Sequence, residues 1–189
     1  MHAMLFEAFS RLMETKGFDA INMATLAAEA GISRASVYYY FPDKEKLLLG
    51  YVEYEMGNYL DRLTRKLDEA QTPVEKLRIY VREQLGAKRG YLMSPGAPLR
   101  ELISRETALA LRQHVEATGN VLRRILAECV EAGAIPGQDL DVTVQLIHGA
   151  LSGRRIPREE PERTAFFTAT ERFILRSVGA SKRDIRHVF

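Results

Sequence analysis

The sequence predicts an all-α protein. Three observations carry that expectation. Apolar residues recur at spacings of three and four over most of the chain. Glycine and proline punctuate these runs where helices stop and start, as at Gly17, Gly31, Pro42 and Pro73. No stretch shows the strict alternation of a half-buried strand. We expect about nine helices, with an N-terminal three-helix head of the helix-turn-helix kind and a larger helical body.

The elements follow in order. Met4, Leu5, Ala8, Phe9, Leu12 and Met13 form one face of a first helix over residues 3–16, and Gly17 ends it. It starts almost at Met1, so little N-terminal arm is expected. Asn22 can cap a second helix to Ala30, and Gly31 supplies the positive-φ turn. Ser33 can cap a third, with Val37, Tyr40 and Phe41 inward and Arg34, Ala35 and Tyr38 outward, beside Ser36 and Tyr39. Pro42 stops it and Asp43 can cap the next. From Lys44 to about Ala70 runs a long fourth helix, roughly 38 Å at the usual rise. Gly57 is a candidate bend in it. Thr72, Pro73 and Glu75 open a fifth helix, by capping box and proline at the first turn, reaching about Arg89. Residues 92–98 read as a loop. A short helix follows over 99–104, then a long one over 106–132 that Gly119 interrupts. A stop at 133–137 precedes a helix led by Asp139 or Asp141 to Gly153. Pro161 opens a last helix carrying Phe166, Phe167, Phe173, Ile174 and Val178, and a frayed basic tail ends the chain.

Composition sets limits on function. With 46% hydrophobic and 28% charged residues, this is an ordinary globular chain. No apolar run approaches the roughly 18 residues of a membrane helix, so no membrane partner is expected, and the N-terminus reads as carrying no signal peptide. Cys129 stands alone, which excludes an intrachain disulfide and fits the cytoplasm. His114 and His148 lack metal-ligand spacing. There is no Gly-rich phosphate loop and no nucleophile–base pair, so neither metal, cofactor nor catalytic residue is expected. The net charge is +2, but residues 1–50 are close to neutral, with five Lys and Arg against six Asp and Glu. A DNA-binding reading of this head would therefore have to rest on a few placed contacts, not on bulk charge.

The stretch from Gly17 to Leu48 resembles the N-terminal domain of the tetracycline-repressor (TetR) family of bacterial transcription regulators. The likeness rests on Gly17-Phe18, Leu26-Ala27, Ala30-Gly31-Ile32-Ser33, Val37-Tyr38, Tyr40-Phe41, and Lys44 followed by Leu47-Leu48. Residues 131–135, and Gly149 to Gly153 at the end of the Asp-led helix, look like later parts of such chains. Ile21-Asn22 stands where members often carry a Thr pair, Ala35 replaces a common Gly, and basic residues before the first helix are missing.

The resemblance implies a homodimeric repressor on a palindromic DNA operator, released by a small molecule. The divisions expected are a DNA-binding domain over 1–46, a ligand-binding and dimerisation domain over 47–180, and a tail over 181–189. A groove-entering helix needs small residues, a long cation and hydroxyls. Arg34, Ala35 and Ser36 supply a reading surface; Ser33, Tyr38, Tyr39 and Lys44 supply phosphate holds, with Asn22 and Thr25 at the start of the second helix. Ser33 can cap, hold phosphate, or do both. Gly149, Ala150 and Gly153 allow close helix approach, and with Phe166, Phe173 and Ile174 they make a candidate dimer interface or complete the monomer core. Tyr59, Tyr80, Tyr91, Arg105 and His114 are candidate contacts to an apolar or aromatic effector, against the alternative of plain core or surface. Two other readings stay open at this point, a small all-helical enzyme and an interaction module that no longer reads DNA.

Overall fold

The computed structural model describes residues 2–87, 99–152 and 156–186, with the side chains of Arg100, His114, Val115 and Arg186 left out. Every regular element among them is helical. They are α1 (His2–Lys16), α2 (Met23–Ala30), α3 (Arg34–Tyr40), α4 (Lys44–Asp68), α5 (Pro73–Gly86), α6 (Leu99–Leu102), α7 (Arg105–Glu131), α8 (Leu140–Leu151), α9 (Glu162–Ser177) and α10 (Lys182–Arg186). The nine expected helices are present. α10 is additional: residues expected as frayed tail are ordered by Ser181, whose hydroxyl accepts the Asp184 N–H at 3.2 Å and donates to the Asp184 carboxylate at 2.6 Å. α4 and α7 run unbroken through Gly57 and Gly119. Gly119 faces α8, where an added Cβ would make ordinary contacts, 3.6 Å from Val144 Cγ1 and 3.7 Å from His148 Cε1.

The chain divides into two compact units. The first comprises Met1–Asn58 and Lys88–Val115. Its core is the inner face of α1 (Leu5, Phe9, Leu12), with Phe18, Leu26, Val37, Leu47 and Leu48. Burying such faces is the main favourable term in forming three short helices that would not persist alone. Phe41 ends α3 against Phe6, with ring centroids 5.7 Å apart, and Gly50 makes room for it: a Cβ there would sit 2.9 Å from Phe41 Cε1. Leu102 and Ile103 pack on this same core.

The second unit comprises Tyr59–Ala87 and Glu116–Phe189. Leu77, Leu122, Leu126 and Ile174 fill it. α5 and α9 are joined by the fully buried Glu171 carboxylate, which accepts from Arg78 and, at 2.6 Å, from Arg82. A carboxylate so buried requires such partners, because an unpaired charge there is costly.

Candidate nucleic-acid interface

The reading helix is fixed at both ends by local chemistry. At the start of α2, Asn22 Oδ1 accepts the N–H groups of Ala24 and Thr25 at 3.0 and 2.9 Å. Thr25 Oγ1 accepts the Asn22 N–H at 3.1 Å, closing a reciprocal capping box. Gly31 has φ +69°, which bends the chain sharply into α3 at no side-chain cost. Ser33 Oγ caps α3 through the Ser36 N–H at 3.0 Å. Val37 and Phe41 are buried and Tyr40 half-buried, as their spacing predicts.

The outward residues divide into two groups. Arg34, Tyr38 and Lys44 converge with Asn22 and Ala24 on one open groove of about 560 Å³. The Arg34 guanidinium lies 5.4 Å over the Tyr38 ring and donates to its hydroxyl at 3.3 Å. The pairing holds a long, floppy cation extended along the exposed face of α3. Lys44 is likewise steadied: its ammonium lies 4.6 Å over the Phe18 ring and donates to the Phe18 carbonyl at 3.3 Å. It also stands at the start of α4, where the helix dipole adds positive potential. Ala35 and Tyr39 lie outside that groove. Tyr39 is 82% exposed and stands edge-on to Tyr40. Ser33 and Ser36 share a hydrogen bond of 2.8 Å at the helix start.

Asn22 lines the groove and Thr25 does not, and the side-chain oxygens of both are committed to the cap. The N–H groups of Ala24 and Thr25 that would otherwise meet a phosphate point at Asn22. Ala24, absent from the expected contacts, lines the groove.

Among the expected pairing residues, Gly149 is exposed, Ala150 and Phe166 are half-buried, and Phe173 is 57% exposed. Of the two readings open for Ile174, burial to 1% exposure favours the unit's own core over a pairing face, because one residue along a helix from Phe173 turns the side chain about 100° away. Gly153 lies outside the described residues. Two further large apolar residues are exposed on α8, Val142 and Leu146, the latter 69% exposed. With Gly149 they form a stripe spaced by four and three on α8, a signal present in the sequence.

Among the expected effector contacts, Tyr59 and Tyr80 are buried in the second unit and Arg105 is exposed in the first turn of α7. Tyr91 and the His114 side chain lie outside the described residues. The Tyr80 hydroxyl is the hub of a polar cluster: Gln84 Nε2 donates to it at 3.1 Å, His148 Nε2 lies at 2.7 Å, and it donates to the Thr118 carbonyl at 3.2 Å. Burial pushes the Cys129 thiol up to about 11, so it packs as a small apolar residue without thiolate reactivity. No helix among the described residues is long and apolar enough to cross a membrane.

A capped helix-turn-helix head with a restrained arginine and lysine facing one groove defines a DNA-binding transcription regulator. Residues 5–51 match the family model of bacterial regulatory proteins, tetR family. The fatty acid metabolism regulator protein of Bacillus subtilis is 26% identical over 152 residues, covering 78% of this chain and 77% of that one. The fold matches the fatty acid degradation regulator FadR of Bacillus halodurans with a TM-score of 0.81 at 21% identity, over 95% of this chain and 97% of that one. It matches FadR of Bacillus subtilis in complex with stearoyl-CoA with a TM-score of 0.76 at 20% identity, over 94% and 97%. Residues 5–51 are thus similar to the DNA-binding head of such regulators, and the whole chain shares their fold.

Proposed function

We propose that the protein is a cytoplasmic homodimeric repressor that reads a palindromic operator and is released from it by a long-chain fatty acyl thioester. The observation that carries the DNA assignment is the convergence of Arg34, Tyr38 and Lys44 on one groove, with α3 exposed along the Arg34 face. In this reading Arg34 contacts a guanine edge, Ala35 and Ser36 allow close approach, and Ser33, Tyr38, Tyr39 and Lys44 hold phosphates. Asn22 and Thr25 act chiefly by setting the start of α2. Residues 1–46 form the reading domain and 47–180 the effector and pairing domain.

Val142, Leu146, Gly149 and Phe173 form the pairing face: three large apolar side chains exposed on neighbouring chain segments favour burial against a like surface. To occupy successive major grooves, two heads must sit about 34 Å apart, one turn of DNA. The effector class rests on the regulator of fatty acid metabolism that this chain resembles and on the stearoyl-CoA complex of a protein sharing its fold. A long acyl chain also suits the apolar effector expected from the sequence. Binding, not turnover, is the activity assigned.

The test uses the full-length protein on labelled DNA from upstream of its own gene. Tight binding that collapses with rising salt, and release on adding stearoyl-CoA, is the expected result. Binding unaffected by saturating stearoyl-CoA would remove the effector assignment, and no sequence preference would remove the operator.

A further inference from the structure

Glu45 follows Lys44 in the first turn of α4, one residue beyond the ammonium that faces the groove. Its carboxylate is turned to the start of α7. Oε2 accepts the Ser104 N–H at 3.0 Å, the Ser104 hydroxyl at 2.7 Å and the Thr107 hydroxyl. All three donors belong to the start of α7. Ser104 Oγ also accepts the Thr107 N–H at 3.2 Å, so the cap of α7 and its link to α4 share atoms. Thr107 is buried. Lys46 and Glu106 add an exposed pair at 3.6 Å.

The start of a helix carries unsatisfied N–H groups and partial positive charge. Usually a side chain of the helix's own capping segment answers them. Here an anion from a segment 59 residues earlier joins the cap. Charge-assisted bonds of this kind are short and directional, so the first turns of α4 and α7 cannot shift independently without breaking them. α4 follows α3 across only Phe41, Pro42 and Asp43. α7 is one continuous helix of 27 residues from this clamp onward. The hydrogen bonds hold the Glu45 carboxyl below its ordinary value, consistent with an anion that is bound.

We propose that Glu45 is a positioning residue for operator binding: fastened to Ser104 and Thr107, it holds the first turn of α4, and with it Lys44 and α3, in the DNA-reading position, and its loosening is the step by which effector lowers affinity. The second half rests on the effector reading above; the first does not. An effector can act only through differential affinity for two states, and here the two states are clamp closed and clamp open.

The experiment compares wild type, Glu45→Gln, Glu45→Ala and the pair Ser104→Ala with Thr107→Val. Operator affinity, affinity for scrambled DNA and the release caused by stearoyl-CoA are each measured by fluorescence anisotropy. Loss of the clamp from either side is expected to weaken operator binding at least tenfold, leave scrambled-DNA affinity within twofold, and reduce the stearoyl-CoA response to less than twofold. Combining both sides should be no worse than either alone, because one linkage is broken. Operator affinity equal to wild type in Glu45→Gln and in the Ser104/Thr107 variant, both folded, overturns the proposal, as do additive losses from the two sides. If stearoyl-CoA fails to release wild type, the effector class falls, while the operator affinities of the variants still decide the positioning role.

Discussion

Arg34→Ala is the sharpest perturbation of the reading head. Arg34 is exposed, and its described interactions are the stack and hydrogen bond with Tyr38, four residues on. Alanine is the best helix former, and an exposed cation–π pair contributes about 0.5–1 kcal/mol, so the folded state should change by less than about 1 kcal/mol. DNA binding should change far more. A bidentate contact to guanine discriminates by about 1–3 kcal/mol, and a palindrome engages two copies, giving about 2–6 kcal/mol per dimer. That is a loss of roughly thirtyfold to more than ten-thousandfold in operator affinity. Affinity for scrambled DNA should fall only by the small amount that one phosphate-attracting charge per subunit supplies. Anisotropy titrations on both fragments, with thermal melts alongside, separate the outcomes. An unchanged ratio of operator to scrambled affinity would refute the assignment of α3 as the base-reading element.

Other perturbations test neighbouring steps. Asn22→Ala removes the cap that answers two N–H groups of α2 and should cost about 1 kcal/mol of stability, within 0.5–2, measured by chemical denaturation; a cost near zero would show the cap to be dispensable. Leu146→Glu places a charge in the pairing face twice over. Losing two buried leucines costs about 3–6 kcal/mol, so the dimer dissociation constant should rise at least hundredfold by sedimentation, with operator affinity falling in step. Glu45 supplies a pH test. Its folded pKa lies below 4.5, so its stabilising bonds are present above that pH and are lost as pH falls through the lower folded value. Below about pH 4.5 the melting temperature of wild type should therefore drop more steeply than that of Glu45→Gln, and parallel curves would contradict the bond's contribution. Cys129 should resist alkylation at neutral pH in the native protein and react once it is unfolded.

What could be read from the sequence was local. Asn22, Ser33, Asp43, Thr72 and Asp139 each cap a helix through bonds reaching two or three residues along, and Gly31 marks a turn by its own φ. Spacing of three and four put Val37, Tyr40 and Phe41 inward for the same reason. The residues that escaped depend on distant partners. Nothing near Glu45 in sequence signals Ser104 and Thr107. Ile174 and Phe173 are both apolar neighbours, and only the position of the packed helices decides which is core. The Ser181–Asp184 cap, by contrast, was a local signal of the same kind as the others, and it was hidden by the basic residues around it. Asn22 and Thr25 show a further limit: a polar pair at a helix start suits a phosphate or a cap equally, and here the cap takes their oxygens.

Selection of binding sites from a random DNA pool by the full-length protein tests the central claim most directly. A dimer of α3 reading heads should enrich an inverted repeat whose half-sites are centred about 10 base pairs apart, or a whole number of turns, and Arg34→Ala should lose the guanine preference within each half-site. A pool that shows no enriched sequence, or a single unpaired site insensitive to Arg34, would contradict the account.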